Sequence, residues 1–479
     1  MNPVSKDYGT LLDLLVTKGV VIHAACGGQG RCGQCRIKLK GRINAPTRFD
    51  RTLIPSHLIM QGYRLACQYK VKNKELSDFD VESVRVDPAR HSKGTGRRQD
   101  RPCGLALDLG TTVIKGARVN LESGEVTDTV KTYNPQNSCG ADVMTRISAA
   151  LSGRYDFLRR QLLDGVSAVR KQLGFAVVSV RTAAAGNPVM SSFYLGKPVV
   201  GLARYPYAGA ITKSIRQNKH KRFVFGSVGG FVGGDTIAGI LASGLHRKPG
   251  VSLYIDLGTN GEIALLTSRR IYALSTAAGP ALEGAGLKCG SLAIPGAIDA
   301  IEGINRQSGF KIHTIGDERP RGICASGLVD LLAILLKRGW LTRFGRLIRP
   351  VRVSGICIGQ HDIRQLQLAI GAIHTGVQFL MEHAGAKAGD ITTTIITGEF
   401  GSHLNTASLK QVGIIPEDLT GVRLERDLVL KGSVKALRDA GVYKEAETIR
   451  RRSRHIELAM QPDFQKRFVS ALQLAPWTA

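Results

Sequence analysis

Residues 25–35 read ACGGQGRCGQC, and this stretch places three thiols, Cys26, Cys32 and Cys35, in one loop with x5 and x2 spacings. A fourth, Cys67, follows after 31 intervening residues. Three ligands from one short loop reach a common inorganic centre only if the backbone curls around it. Gly27, Gly28, Gly30 and Gly33 permit that curl and let backbone N–H groups point at sulfur. A thiolate from a distant segment then completes a set of four. Structural zinc also takes four cysteines, but usually from two short knuckles; three in one loop and one alone favour a [2Fe–2S] cluster held by Cys26, Cys32, Cys35 and Cys67. The chain has nine cysteines, an odd number without a signal sequence, which argues against a disulfide framework. Cys103, Cys139, Cys289, Cys324 and Cys357 are isolated and read as small core residues. The flanks predict a helix in GTLLDLLVTKGV and a strand carrying Cys67 in GYRLACQYKV.

Residues 85–102, RVDPARHSKGTGRRQDRP, hold two prolines and two glycines without apolar periodicity and predict a basic linker. Immediately afterwards, CGLALDLGTTVIKGARV (103–119) reads as an apolar strand ending in Asp108, a Gly110-Thr111-Thr112 turn and a second apolar strand. The design recurs 148 residues later in VSLYIDLGTNGEIALLT (251–267), with Asp256 followed by Gly258, Thr259, Asn260 and Gly261. That separation suits two related half-domains. An acid at a strand end followed by a Gly/Thr turn suits phosphate binding, with the carboxylate holding Mg²⁺ through water or orienting an attacking water. One copy is weak evidence, since ordinary turns use the same residues; two in matching contexts are stronger. Further glycine clusters follow in an order a nucleotide site would use. GSVGGFVGGDT (226–236) puts Gly234 and Asp235 at a helix start, and STAAGPALEG (275–284) follows the second hairpin. In IITGEFGSHL (395–404), Gly398 and Gly401 would let backbone lie flat against an adenine.

This order of motifs resembles the reductive activators of corrinoid proteins, which join an N-terminal [2Fe–2S] domain to an ATPase of the acetate and sugar kinase, Hsc70 and actin superfamily, ASKHA. The likeness runs through ACGGQGRCGQC, RLACQ, LALDLGTT, NPQNSCGADVMTRI, AAGNPVM, FVGGD, IDLGTNGEI, AAGPALEGAG, GAID, ASGLVD and DIRQLQLAIGAI to IELAMQPDFQKRFVSAL. It implies an α+β chain: a β-grasp ferredoxin-like domain over 1–84, with the x5-x2 variant of the cluster loop, and a linker over 85–102. A duplicated, two-lobed α/β ATPase follows, with lobes over 103–250 and 251–479. Most of the ferredoxin domain's first strand would precede Met1 or be compressed into MNPVSKDY. The resemblance makes Asp108, Gly110, Thr111 and Thr112 phosphate-1 residues, Asp256, Gly258, Thr259, Asn260 and Gly261 phosphate-2 residues, and Gly398 and Gly401 part of an adenosine motif. It implies ATP, Mg²⁺ and a [2Fe–2S] cluster as cofactors, and transfer of an electron to Co(II) of a corrinoid protein to regenerate Co(I) for methyl transfer. The partners implied are that corrinoid protein of a methyltransferase system and an electron-donating reductant, with a homodimer allowed. The chain departs from the family in lacking the extra domain some members carry before the ATPase, and in Ala325 and Glu399, where glycine and alanine are expected. A small-molecule kinase of the same fold would leave the cluster without a role. A nucleotide-gated electron carrier without turnover is the other alternative.

The composition agrees with a folded chain: 43% hydrophobic and 22% charged residues, with 56 glycines in 479 residues. No uncharged apolar run is long enough for a membrane span and no signal-peptide pattern opens the chain, so a cytoplasmic protein is expected. The formal charge is +28, yet no helix-turn-helix, zinc finger or aromatic stacking series accompanies it, which disfavours nucleic acid. The charge is densest over residues 1–102, with 19 Lys+Arg against 9 Asp+Glu, and is read as steering toward an acidic redox partner.

Overall fold

The computed structural model describes residues 9–17, 22, 24, 26–31, 33, 35–40, 43–71, 79–80, 90–92, 102–175, 180–217, 221–284, 286–291, 293–303, 309–398 and 404–478. It forms two compact units, residues 1–180 with 189–205, and residues 181–188 with 206–479.

In the first unit, α1 (Leu11–Thr17) forms from the expected segment. Its first N–H groups, which no helix can satisfy internally, bond outward from Leu11 to Tyr69 O and from Leu12 to Ala66 O. Leu11, Leu12, Leu14 and Leu15 bury against Ile22, Cys35, Ile37 and Leu65. β1 (Arg36–Leu39) lies between β2 (Tyr63–Leu65) and β3 (Phe79–Asp80), antiparallel to both. Two short helices, α2 (Arg48–Leu53) and α3 (Ser56–Met60), link β1 to β2. A Thr47–Asp50 capping box starts α2, and the buried Asp50 also accepts from Leu65 N at 2.8 Å. Residues 1–8, where a compressed first strand was expected, lie outside the described residues. Cys67 corrects its expected place: it sits in the turn at 66–68 just beyond β2, not on the strand.

The linker is also corrected in part. β4 (Arg90–Ser92) pairs antiparallel with β7 (Val126–Tyr133), using the open edge of that strand. β5 (Cys103–Leu109), β6 (Val113–Asn120) and β7 form an antiparallel meander. After it, α4 (Val143–Ala149) leads through a kink at Ser152 and Gly153, where Gly153 takes φ 85°, into α5 (Tyr155–Gln172), which packs on β6 and β7.

α6 (Pro188–Leu195) falls almost wholly in the first unit; the second repeats the meander as β11 (Val251–Leu257), β12 (Gly261–Leu266) and β13 (Ile271–Thr276), after β8 (Arg181–Gly186), β9 (Ile215–Gln217), β10 (Arg222–Val224) and α7 (Gly234–Ser243) in sequence. β10 pairs parallel to β8 and antiparallel to β9. β14 (Ala297–Gly303), β15 (Phe310–Thr314) and β16 (Gly322–Ile323) make a small sheet covered by α8 (Ala325–Lys337), and β17 (Val351–Val353) with β18 (Ile356–Ile358) a hairpin. α9 (Gln360–Ala384) backs β12 and β13. β19 (Ile391–Gly398), α10 (Thr406–Gln411), β20 (Val422–Leu424), α11 (Leu428–Arg438), α12 (Val442–Arg452), β21 (Ser453–His455) and α13 (Phe464–Ala471) complete the chain. The sheet order is β20-β19-β11-β12-β13-β21, with β19 parallel to β11. α7 packs on α11, which draws residues 206–250 into this unit. Among the described residues no helix is long and apolar enough to cross a membrane.

Candidate functional site

The cysteine loop curls as its glycines require. Gly27, Gly28, Gly30 and Gly33 all take positive φ, from 61° to 87°, a region where only glycine pays no steric cost. Cys35 and Cys67 are buried and Cys26 is half-buried. Arg31 N–H donates to Cys26 Sγ at 3.5 Å, and Gln68 Nε2 donates to Cys67 Sγ at 3.5 Å and to Gly28 O at 3.2 Å. The Cys67 thiol is lowered to about 7, first by a hydrogen bond from Cys35, with Gln68 and the Gly30 N–H helping against burial and the nearby Cys26. Three of the four expected ligands are therefore brought together, with N–H donors aimed at sulfur, which fits an acid-labile iron–sulfur centre. Cys32 lies outside the described residues. Among the described residues no three His, Cys, Asp or Glu side chains converge on a single metal-ion position. A cluster of two irons divides its thiolates between them and does not demand that convergence. The remaining thiols follow expectation at Cys139, Cys289 and Cys324, which are buried and pushed up by burial, Cys289 to about 12. Cys357 departs from it, being exposed on β18.

The first hairpin places Gly110, Thr111 and Thr112 in a three-residue turn between β5 and β6, with Asp108 directly across the ladder from Lys115. The two form an ion pair at 3.8 Å with both side chains largely buried. The turn's carbonyls are held from behind. Asn134 Nδ2 donates to Gly110 O, Arg146 Nη2 to Thr111 O at 2.7 Å, and Asn137 Nδ2 to Thr112 O at 3.0 Å. Because each peptide is planar, fixing these carbonyls fixes the N–H groups that follow them. The sequence singled out none of these three residues as functional. They belong to NPQNSCGADVMTRI, whose only signal was likeness to other chains.

The second hairpin places Gly258, Thr259 and Asn260 between β11 and β12, with Asp256 across from Glu262. Thr259 Oγ1 donates to both carboxylate oxygens of the buried Glu283 at 3.1 Å, and Gly258 N–H donates to Asn260 O. Tyr254 Oη donates to Asp256 Oδ2 at 3.3 Å. Asp235, in the first turn of α7 beside Gly234, accepts from Thr236 N–H at 2.8 Å. Its carboxyl is pushed up to about 7, by burial first and then by the charge of Asp256. Glu262 is raised well above the usual carboxylate range by burial, with Asp235 and Asp256 adding to it. Three half-buried acids thus lie near enough to raise one another, an arrangement stabilised by a proton or a cation. Magnesium keeps several of its waters, so acids that do not converge on one point still suit it. Lys115, Glu262, Tyr254 and Glu283 were not legible as site residues, because cross-strand register decides which side chains face the acids. Gly398 ends β19 with φ 139°; Glu399 and Gly401 lie outside the described residues.

Residues 3–72 match the family described as 2Fe-2S iron-sulfur cluster binding domain, residues 103–248 the RACo middle region, and residues 250–478 the C-terminal domain of RACo, the ASKHA domain. The corrinoid activation enzyme RamQ of Eubacterium limosum is 30% identical over 418 residues, 76% of this chain and 69% of that protein. A reductase of Methanosarcina barkeri named for a Co(II) methylated amine-specific corrinoid protein is 28% identical over 383 residues, 69% of this chain and 70% of that one. The solved structure of a reductive activator for a corrinoid, iron-sulfur protein shares the fold with a TM-score of 0.72 and 24% identity, over 98% of this chain and 96% of the other.

Proposed function

The chain belongs to the family of corrinoid-protein activators, and from that premise we propose which of its residues perform the reaction. The protein is an ATP-dependent electron-transfer enzyme that reduces Co(II) of a corrinoid protein to Co(I). Each turnover moves one electron from the ferredoxin domain to cobalt. Cys26, Cys32, Cys35 and Cys67 hold the [2Fe–2S] cluster, which supplies that electron when bound. The observation that carries the reading is the glycine-curled cysteine loop, in which Arg31 N–H donates to Cys26 Sγ and Gln68 Nε2 to Cys67 Sγ, with the Cys67 thiol lowered beside Cys35. It is a site ready to give up protons to a metal centre.

Gly110, Thr111 and Thr112 with Gly258, Thr259, Asn260 and Gly261 bind the phosphates of ATP through backbone N–H and hydroxyl groups. Asp108 and Asp256 are the catalytic carboxylates. Asp256, with Asp235 and Gly234 at the start of α7, favours Mg²⁺ through water, and Gly398 and Gly401 accommodate the adenosine. ATP makes the electron transfer directional only if binding and hydrolysis favour different conformations of the complex. The chain carries no Asp-x-His-x-x-Gly cobalamin signature, so the corrinoid belongs to the partner. The test mixes the reduced protein with a Co(II) corrinoid protein and follows Co(I) absorbance with and without Mg·ATP. ATP is expected to raise the Co(I) yield; equal yields would refute the reading.

A further inference from the structure

We propose that the segment Asn134–Arg146 is a positioning element that couples the phosphate-1 turn to the Cys26 loop, so that nucleotide binding and cluster reduction alter one another. The proposal rests on the reading above that this chain binds both groups.

Two faces of one short segment carry it, both within the first compact unit. On one face, Asn134, Arg146 and Asn137 hold the three successive carbonyls of Gly110, Thr111 and Thr112, and Asn134 N–H donates to Thr112 O besides. A phosphate that draws on the N–H groups of that turn therefore pulls on this segment. On the other face, the segment lies against Gly27, the residue next to Cys26. A side chain at Gly27 would meet Cys139 O at 2.7 Å and the Thr145 methyl at 3.2 Å, so the two backbones are packed with no room between them. Movement at 139–145 is felt at the cluster loop.

The link between the faces is stiff. Arg146 is fully buried, and all of its donors are used. Nε donates to Gly140 O, Nη1 to Gln136 Oε1 and Met190 Sδ, and Nη2 to Thr111 O and Asn137 Oδ1. No carboxylate hydrogen-bonds it, and Asp142 acts on it only through its charge. A fixed buried cation of this kind favours negative charge nearby, whether a phosphate at the turn or an electron added to the cluster. A second contact steadies the ferredoxin part: Arg154 pairs with Asp13 at 3.4 Å and lies over Phe157, which packs on the ferredoxin core.

The experiment uses the full chain with its cluster loaded, under anaerobic conditions, with Mg·ADP and a non-hydrolysable Mg·ATP analogue as probes. The reduced-to-oxidised ratio of the cluster at a fixed poise is read by EPR, and nucleotide affinity is measured for oxidised and dithionite-reduced protein. Saturating nucleotide is expected to change that ratio by up to about tenfold, which is 59 mV for a one-electron couple. Reduction must then change nucleotide affinity by the same factor, because coupling is reciprocal. Asn137→Ala, which removes the side-chain hold on Thr112 O and one acceptor of Arg146 but leaves the Asn134 N–H bond in place, is expected to shrink the shift. Thr145→Ser, which removes only the methyl group over Gly27 and keeps the hydroxyl that bonds Asp142, is expected to weaken it. If Asn137→Ala does not fold, Thr145→Ser and the two wild-type measurements decide. A wild-type protein that holds cluster and nucleotide yet shows one potential with and without nucleotide overturns the coupling alone, as do variants that shift like wild type. A chain that holds no cluster or no nucleotide overturns the functional reading and the coupling with it.

Discussion

β5–β6 and β11–β12 are one backbone device built twice, in CGLALDL and VSLYIDL, with the acid at the sixth position and the same succession of buried and half-buried residues. Three residues make each turn, and a helix backs each meander, α5 in the first and α9 in the second. The two differ in what faces the acid. Asp108 has Lys115 across the ladder and pairs with it; Asp256 has Glu262, and its charge adds to burial in raising both Asp235 and Glu262. Repetition of the backbone thus fixes where an acid stands, while its cross-strand neighbour decides whether its charge is already matched or still calls for a cation.

The largest expected effects test that difference directly. Asp256→Asn is expected to lower ATP turnover by about 10²- to 10⁴-fold, the range for loss of a positioned acid–base group, with unchanged or raised thermal stability because a like charge leaves a crowded pocket. A turnover assay beside a melting curve checks both halves. Copying the second hairpin into the first, Lys115→Glu, sets two acids face to face where an ion pair stood. It is expected to cost about 3–5 kcal/mol, the range for breaking a buried pair, read in urea unfolding. If Lys115→Glu melted like wild type, the electrostatic contrast between the hairpins would be empty.

Much of this architecture was readable beforehand because it rests on local signals. Asp-x-Gly-Thr between apolar runs names a hairpin turn, and glycines between cysteines name a curled loop; both are written in a dozen adjacent residues. What escaped was set by distance or register. Lys115 and Glu262 are ordinary strand residues until pairing puts them opposite Asp108 and Asp256. Arg146 reaches Thr111 across 35 positions, and nothing in its neighbours predicts a buried guanidinium there. Cys67 looked like a strand residue because RLACQ continues the apolar pattern, but the chain turns at 66–68 to bring the thiol back toward Cys35. The stretch at 90–92 has no strand pattern of its own and pairs because β7 offers an open edge.

A smaller effect separates the two backing helices by pH. His374 on α9 stacks on Trp477 with ring centroids 4.1 Å apart, and burial lowers it to about 4 from 6.5. Its folded form stays neutral while the unfolded chain takes up a proton below about 6.5. Stability from this site is therefore complete above that pH and is lost as pH falls toward 4, by about 3 kcal/mol in all. α5 contains no histidine, so this loss belongs to the second meander alone, where the raised Glu262 opposes it by taking up a proton as pH falls. Amide exchange at pH 7 and pH 4.5 checks this, with Trp477 fluorescence as a local reporter. His374→Gln is expected to remove this acid loss from β12 and β13, leaving the opposite contribution of the raised Glu262 on β12, and to leave β6 and β7 as before.

The finest comparison is between the glycines on which the two helices rest. A side chain at Gly116 would meet Val169 Cγ1 of α5 at 2.3 Å, and one at Gly261 would meet Ile373 Cδ1 of α9 at 2.0 Å and Thr276 Oγ1 at 2.6 Å. In both meanders the second strand carries glycine so that a helix can approach its backbone. Each obstructing atom is a side-chain end, so repacking absorbs part of the clash, and Gly116→Ala and Gly261→Ala are each expected to cost about 1–3 kcal/mol. Their functional consequences should part. Gly261 opens β12 directly after the turn that holds Thr259, whereas Gly116 lies three residues into β6 and away from its turn. Gly261→Ala is therefore expected to raise the KM for ATP as well as lower the melting temperature, and Gly116→Ala to lower the melting temperature only. Equal KM values in the two variants would show that the turns are insulated from the helices behind them, and that the two hairpins differ in charge alone.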